Sequence, residues 1–239
     1  MLAEQAKSIG DCAPDVVALQ EVTANSLPQW RAALAELGLA HVEASLDAAP
    51  AVREPAGPRR TGVLLAARAP IEPAGVRLDV PWPETVLSGV VDGVEVTVAH
   101  VPNSRNGWVK VETLEGIISG LTERVRPAVL CGDFNTPRSE RPDGTILTFA
   151  HDRYGRLRPE RGERWNAAEL GVLTGIWPDV FRSLHGYEQK EISWNWPRFP
   201  RSGYRLDHMF STLAAKRCEY VHDVRTSKLS DHSAMEADF

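Results

Sequence analysis

Apolar positions along this chain alternate between two periods, and each change of period marks an element. Leu2, Ala6 and Ile9 recur at helical spacing and stop at Gly10, which predicts a short first helix. Asp15 to Leu19 is an apolar run that reads as a buried strand delivering Gln20 and Glu21 at its C-terminal end. Ser26 with Gln29 has the spacing of a capping box, opening a helix with Trp30, Leu34 and Leu37 inward and Gly38 as its stop. The Ala-, Pro- and Arg-rich stretch from Asp47 to Arg60 reads as a surface loop, and Gly62 to Ala67 as a strand. Thr85 to Val91 and Val94 to His100 flank Asp92-Gly93, the strongest hairpin signal in the chain. Leu114, Ile117, Ile118, Leu121 and Val125 form the inward stripe of a helix, with Glu112, Glu115 and Glu123 outside it.

Pro127 to Leu130 reads as a buried strand that Pro137 ends. Between them, strand alternation puts Asp133 and Asn135 on one side and turns Phe134 into the core. A polar segment, Arg138 to Arg164, leads to a helix from Trp165 to Leu173, the stretch Asp179 to Leu184 and an aromatic loop, Ser193-Trp194-Asn195-Trp196. Arg205 to Phe210, Tyr220 to Val224 and Ser233 to Phe239 read as strands. Strands and helices interleave without the regular cadence of a barrel or a doubly wound sheet. That pattern favours an α/β fold, a four-layer sandwich of two mixed β-sheets flanked by helices, with residues 1–239 as a single domain.

Composition adds bounds. The chain is 43% hydrophobic and 25% charged, ordinary for a globular protein with a sizeable core. No apolar run is long enough to span a bilayer, and the N-terminus lacks a secretory pattern. Cys12, Cys131 and Cys218 are unclustered, which argues for a reducing, cytoplasmic setting over a disulfide framework or zinc site. A net charge of −5 argues against a protein that coats nucleic acid by bulk electrostatics, but not against a local basic rim.

Five places along the chain join an apolar run to polar chemistry: Glu21, His100 with Asn103, Asp133 with Asn135, Asp207, and Asp231 with His232. Buried separately, each would be costly; converging at one sandwich edge, they would satisfy one another. A carboxylate beside a carboxamide suits water attack on a phosphate ester, and the acids are oxygen donors of the kind Mg²⁺ prefers. Seven arginines against five carboxylates in 138–164, beginning with Arg138, could form a phosphate-contacting rim or simply a solvated loop. Trp194, Trp196 and Tyr204 could be core or a wall on which bases or sugars stack.

The segments Leu19-Gln20-Glu21, His100-Val101-Pro102-Asn103, Gly132-Asp133-Phe134-Asn135, Arg205-Leu206-Asp207 and Ser230-Asp231-His232 resemble, in order, the motifs of the endonuclease/exonuclease/phosphatase superfamily. The pattern is most similar to the exonuclease III type of apurinic/apyrimidinic endonuclease. The resemblance implies a Mg²⁺- or Mn²⁺-dependent phosphoesterase with nucleic acid as substrate, and neither a membrane nor a protein partner. It implies Glu21 as main metal ligand with Asp231 assisting, and Asp133 as acceptor of the water proton. Asn135 would hold that water or a phosphate oxygen, and His232, oriented by Asp207, would bind the scissile phosphate. Asp133 and Asn135 would serve a second ion if there is one. Two departures from the pattern stand out. His100 replaces the tyrosine before V-P-N, where it is expected to contact phosphate or protonate the leaving group. The family's opening strand is missing, so Met1 is expected to be an internal start or a truncation. The alternatives are a phosphatase or phosphodiesterase for a small phosphoester, and an inactive binding module of the same fold.

Overall fold

The computed structural model describes residues 1–49, 59–122 and 126–239, with the backbone alone at 200 and 201. The chain divides into two units. The first is Met1–Leu78, Trp82–His100 and Val125–Gly132; the second is Asp79–Pro81, Val101–Arg124 and Asp133–Phe239.

The first unit carries α1 (Leu2–Cys12), β1 (Val16–Thr23), α2 (Leu27–Glu36), β2 (His41–Ala44), α3 (Ser45–Ala48), β3 (Thr61–Ala67), β4 (Ile71–Pro73), β5 (Val86–Val91), β6 (Val94–His100) and β7 (Ala128–Asp133, whose last residue belongs to the second unit). Strand β3 lies between β1 and β2 and is buried from Gly62 to Ala67. Its side chains alternate between two cores. Leu64 and Ala66 pack with Ala6 of α1 and Trp30 and Leu34 of α2, whereas Val63 and Leu65 pack with Val96 and Val98 of β6. One face of this sheet therefore holds a helix layer and the other the second sheet, whose strands run in the order β7-β6-β5-β4. Each fully buried Leu here contributes about 1.5–3 kcal/mol of apolar transfer. The β5–β6 hairpin turns at Asp92 (φ 49°) and Gly93 (φ 80°), the two positive φ angles that a tight hairpin of this hand requires.

The second unit carries α4 (Trp108–Leu121), β8 (Ser139–Glu140), β9 (Ile146–Leu147), α5 (Gly162–Thr174), α6 (Val180–His185), β10 (Trp194–Trp196), β11 (Phe199–Tyr204), β12 (Asp207–Ser211), β13 (Arg217–Val221), α7 (Asp223–Thr226) and β14 (Ala234–Asp238). β8–β9, β10–β11 and β13–β14 are antiparallel ladders. Helix α4 packs on α5, and Val180 and Phe181 of α6 pack with Cys218 and Tyr220 of β13. The architecture is the layered α/β sandwich expected from the pattern. No helix among the described residues is long and apolar enough to cross a membrane.

Several local expectations are corrected. β1 does not end at Leu19 but continues to Thr23 through a bulge, and Glu21 sits in that bulge at φ 56°. Ser26 does not cap α2 with its side chain; its hydroxyl donates to the Thr23 carbonyl and accepts from the Thr23 backbone N–H. The expected loop from Asp47 begins inside α3, and its residues 50–58 lie outside the described residues. Helix α4 is Trp108–Leu121, and Glu123 and Val125, expected to extend it, lie outside the described residues. The strand placed at Tyr220 to Val224 is Arg217–Val221, because α7 begins at Asp223. β12 begins at Asp207, two residues later than expected.

Candidate active site

β7 ends in a segment where backbone space decides the sequence. Gly132 has φ 138°, and a Cβ there would lie 1.9 Å from the Ala99 carbonyl oxygen, so only glycine fits before Asp133. Phe134 is fully buried, edge-on to Phe210 at 5.3 Å, and its N–H donates to the Leu206 carbonyl at 2.9 Å. Asn135 then takes φ 52°, a left-handed conformation that Asn tolerates better than most residues.

That turn places Asn135 against Asp133 twice. The Asn135 backbone N–H donates to Asp133 Oδ1 at 2.8 Å, and its Nδ2 donates to Asp133 Oδ2 at 3.0 Å. Nδ2 gives its other proton to the Val101 carbonyl at 2.9 Å. With both amide protons committed, the polar atom that Asn135 can offer a ligand is Oδ1, an acceptor. The strand ends at Asp133, so a turn, and not strand alternation, brings Asn135 to Asp133.

Asp133, Asp207 and His232 each present a ligand atom within 4.8 Å of the others. His232 Nδ1 lies 2.7 Å from Asp207 Oδ2. Asp207 is fixed in turn: its N–H donates to Ser193 Oγ, and the Tyr220 hydroxyl donates to its carbonyl. Burial alone would lower the His232 pKa, but the Asp207 hydrogen bond and the charges of Asp207, Asp133 and Asp231 outweigh it and push it up to about 9. Next to it, Asp231 is exposed, and its Oδ2 accepts from the Trp194 indole at 3.3 Å.

Trp194 bridges His232 through the backbone and stacks parallel to Tyr204, with ring centroids 6.0 Å apart. Trp196 meets Trp194 edge-on at 4.9 Å and is 44% exposed. Trp194 thus stands beside Asp231 and His232, with Trp196 and Tyr204 packed against it. Asn103 caps the turn Ser104–Asn106, its side chain accepting from the Arg105 N–H. Arg138 is half-buried, with its N–H donating to the Leu147 carbonyl. Several arginines of its loop are engaged within the fold: Arg161 donates to the Phe149 carbonyl, Arg158 to that of His151, and Arg164 forks onto Glu115. Glu21 and His100 belong to the first unit, where Glu21 Oε1 lies 3.6 Å from His100 Nε2 and is largely exposed.

Two buried charge networks behind these residues were not foreseen. Lys110 and Glu169, both fully buried, pair at 2.6 Å. Burial pulls the Lys110 pKa down, while Glu169 and then Asp133 pull it up, leaving it below its ordinary value. The second network joins Glu140 to Arg182 and Arg205 at 2.7 Å each, and Arg205 onward to Asp179 and His208. A signal for the first was present: Lys110 lies four residues before Leu114, and Glu169 four after Trp165, so opposite charges occupy the apolar stripes of two helices.

A model of the Endonuclease/Exonuclease/phosphatase family matches residues 3–232. Among solved structures, an AP endonuclease from Archaeoglobus fulgidus aligns over 98% of this chain and 92% of its own, with 20% identity and a TM-score of 0.72. A 3′-5′ exonuclease from Neisseria meningitidis aligns over 100% and 94%, with 19% identity and a TM-score of 0.71. A 3′ phosphatase from Neisseria, solved bound to a product DNA hairpin, aligns over 100% and 93%, with 19% identity and a TM-score of 0.70. At these identities the likeness is one of fold. No curated protein matches the sequence.

Proposed function

Because the chain belongs to the endonuclease/exonuclease/phosphatase family, we infer that it is a divalent-metal-dependent phosphodiesterase acting on nucleic acid, with DNA as the favoured substrate. The observation that carries this reading is the assembly of Asp133, Asp207 and His232 within 4.8 Å, with Asn135 held against Asp133. The names of the fold neighbours, an AP endonuclease, an exonuclease and a DNA-bound 3′ phosphatase, support DNA over other phosphoesters.

The donor chemistry fits Mg²⁺ or Mn²⁺. Carboxylate oxygens are available on exposed Asp231, and on Glu21 by its motif, and such ions take one or two carboxylates and leave other positions to water and phosphate. Asp133 could serve a second ion. When bound, the cation would supply positive charge against the phosphoryl oxygens.

The chain's own residues supply the rest. Asp133 accepts the proton of the attacking water, and Asn135 steadies it by donating one hydrogen bond to each of its carboxylate oxygens. Asn135 Oδ1 receives the water's second proton as a hydrogen bond, which orients it. His232, charged at neutral pH and held through Nδ1, donates from Nε2 to a phosphate oxygen. His100 serves the phosphate or the leaving group, a role drawn from its motif. Trp194, Trp196 and Tyr204 offer ring faces to an unstacked base or sugar, and Arg138 a charge to a neighbouring phosphate.

The net charge of −5 favours a second reading, a small phosphoester substrate. Turnover on abasic duplex, single strand, plasmid and small phosphomonoesters, each with Mg²⁺ or EDTA, separates the two. DNA cleavage should stop in EDTA and weaken steeply with added salt, whereas binding of a small ester should barely respond to salt. Asp133→Asn should cut turnover by at least about 10³-fold with folding intact. Cleavage unchanged in EDTA, or an Asp133→Asn enzyme as active as the parent, would overturn this mechanism.

A further inference from the structure

The Lys110–Glu169 pair converges on the turn that follows Asp133. Lys110 Nζ donates to the Asn135 carbonyl at 2.7 Å while pairing with Glu169 at 2.6 Å. Glu169 Oε2 accepts from the Thr136 hydroxyl at 2.7 Å and the Phe149 N–H at 2.6 Å, and Oε1 from the Trp165 indole at 2.7 Å. His208 Nε2 lies 2.8 Å from the Thr136 carbonyl, so consecutive peptides of the turn are held by separate side chains. Every described partner of the buried carboxylate is a hydrogen-bond donor. Taking two charges wholly out of water is costly, and apolar residues of similar volume would fill the space between α4 and α5 at least as well. What they could not do is accept from Thr136, Phe149 and Trp165 on one side and hold the Asn135 carbonyl on the other.

That carbonyl matters because Asn135 is left-handed, at φ 52°. In that conformation its N–H and its side-chain amide both reach the Asp133 carboxylate. An extended Asn135 would carry these donors away from the two oxygens. We propose that Lys110, anchored by Glu169, is a positioning residue: by gripping the Asn135 carbonyl it keeps the Asp133–Asn135 pair in the geometry that turnover uses. The proposal rests on the reading of Asp133 and Asn135 as the pair that handles the attacking water.

Lys110→Met alone would strand a buried carboxylate, so the test variant is Lys110→Met/Glu169→Gln, which removes both charges. Two readouts are taken on it: steady-state kinetics with Mg²⁺ on a DNA duplex, and exchange of the Asn135 side-chain amide protons by ¹⁵N NMR. The expected result is a kcat lower by about 10–100-fold, the range for partners that orient an active group, with KM unchanged and Asn135 amide exchange accelerated. Parental kcat, or a fall in kcat with Asn135 exchange unaltered, would overturn the proposal. If the double variant does not fold, Lys110→Arg, which keeps the charge beside Glu169 while displacing the donor from the Asn135 carbonyl, is read in the same way: a lower kcat with faster Asn135 amide exchange supports the proposal, and parental kcat overturns it. An active Asp133→Asn enzyme would instead remove the catalytic reading, while the amide exchange would still report on the Lys110 grip.

Discussion

A histidine whose Nδ1 rests 2.7 Å from a carboxylate keeps its proton well past the pH at which free imidazole loses it. For His232 burial opposes the charge, and Asp207 with two further acids overcomes that, to about 9. The sign of the linkage follows. A folded pKa above the unfolded value of about 6.5 contributes stability that is fully present below that pH and is lost as pH rises through about 9. Asp207→Asn keeps the side-chain shape and removes the charge. In the metal-free protein the ring titration of His232, followed by NMR, should therefore move down by more than about one pH unit, and the stability loss between about 6.5 and 9 should shrink. An unmoved midpoint would assign the shift elsewhere. At this scale the sequence was informative where a motif names both partners, as with Asp207 and His232. It was silent on Asn135 Oδ1, because which amide atom remains available depends on where the Val101 carbonyl lies.

Helices and strands were legible where one face is apolar and obscure where a charge is buried on that face. β3 and the β5–β6 hairpin follow from hydrophobic run and turn chemistry alone. The apolar stripe predicts α4, but nothing in it marks Lys110 at its head as buried, because lysine is mostly solvent-facing. Arg205 is a second such case: it stands in a site motif but is 4% exposed and forks onto Glu140 of β8. This network ties β8, α6 and the residues before β12 together, with Asp179 also capping α6 through the Arg182 N–H. Burial would raise the Glu140 pKa, but Arg205 and Arg182 prevail and lower it to about 2. A depressed carboxylate contributes stability above its unfolded pKa, lost as pH falls from about 4.5 towards 2, and on the order of 3 kcal/mol for such a shift. Glu140→Gln should lower the thermal midpoint at pH 7 and flatten its dependence on pH across about 2–5. A variant with the parent's acid profile would show that other carboxylates govern that window.

For the whole molecule, pattern and motif order led to the α/β sandwich, since alternating two-period segments leave few ways to bury every apolar face. The division into two units was not legible, because its boundaries fall inside continuous stretches and carry no change in composition: at 78/79, 81/82, 100/101, 124/125 and 132/133. A chain that passes between its units five times cannot complete either one from a contiguous segment, and the family match runs through both, from 3 to 232. We therefore propose that residues 1–239 fold as one domain. The tryptophans make a test available: Trp30 and Trp82 belong to the first unit, whereas Trp108, Trp165, Trp177, Trp194 and Trp196 belong to the second. Fluorescence accordingly weights the second unit, while far-UV circular dichroism reports helices and strands of both. If the units depend on one another, urea unfolding followed by the two signals should give one shared midpoint and slope. A fluorescence transition displaced from the dichroism transition would mean that the second unit unfolds by itself, and the single-domain proposal would fail.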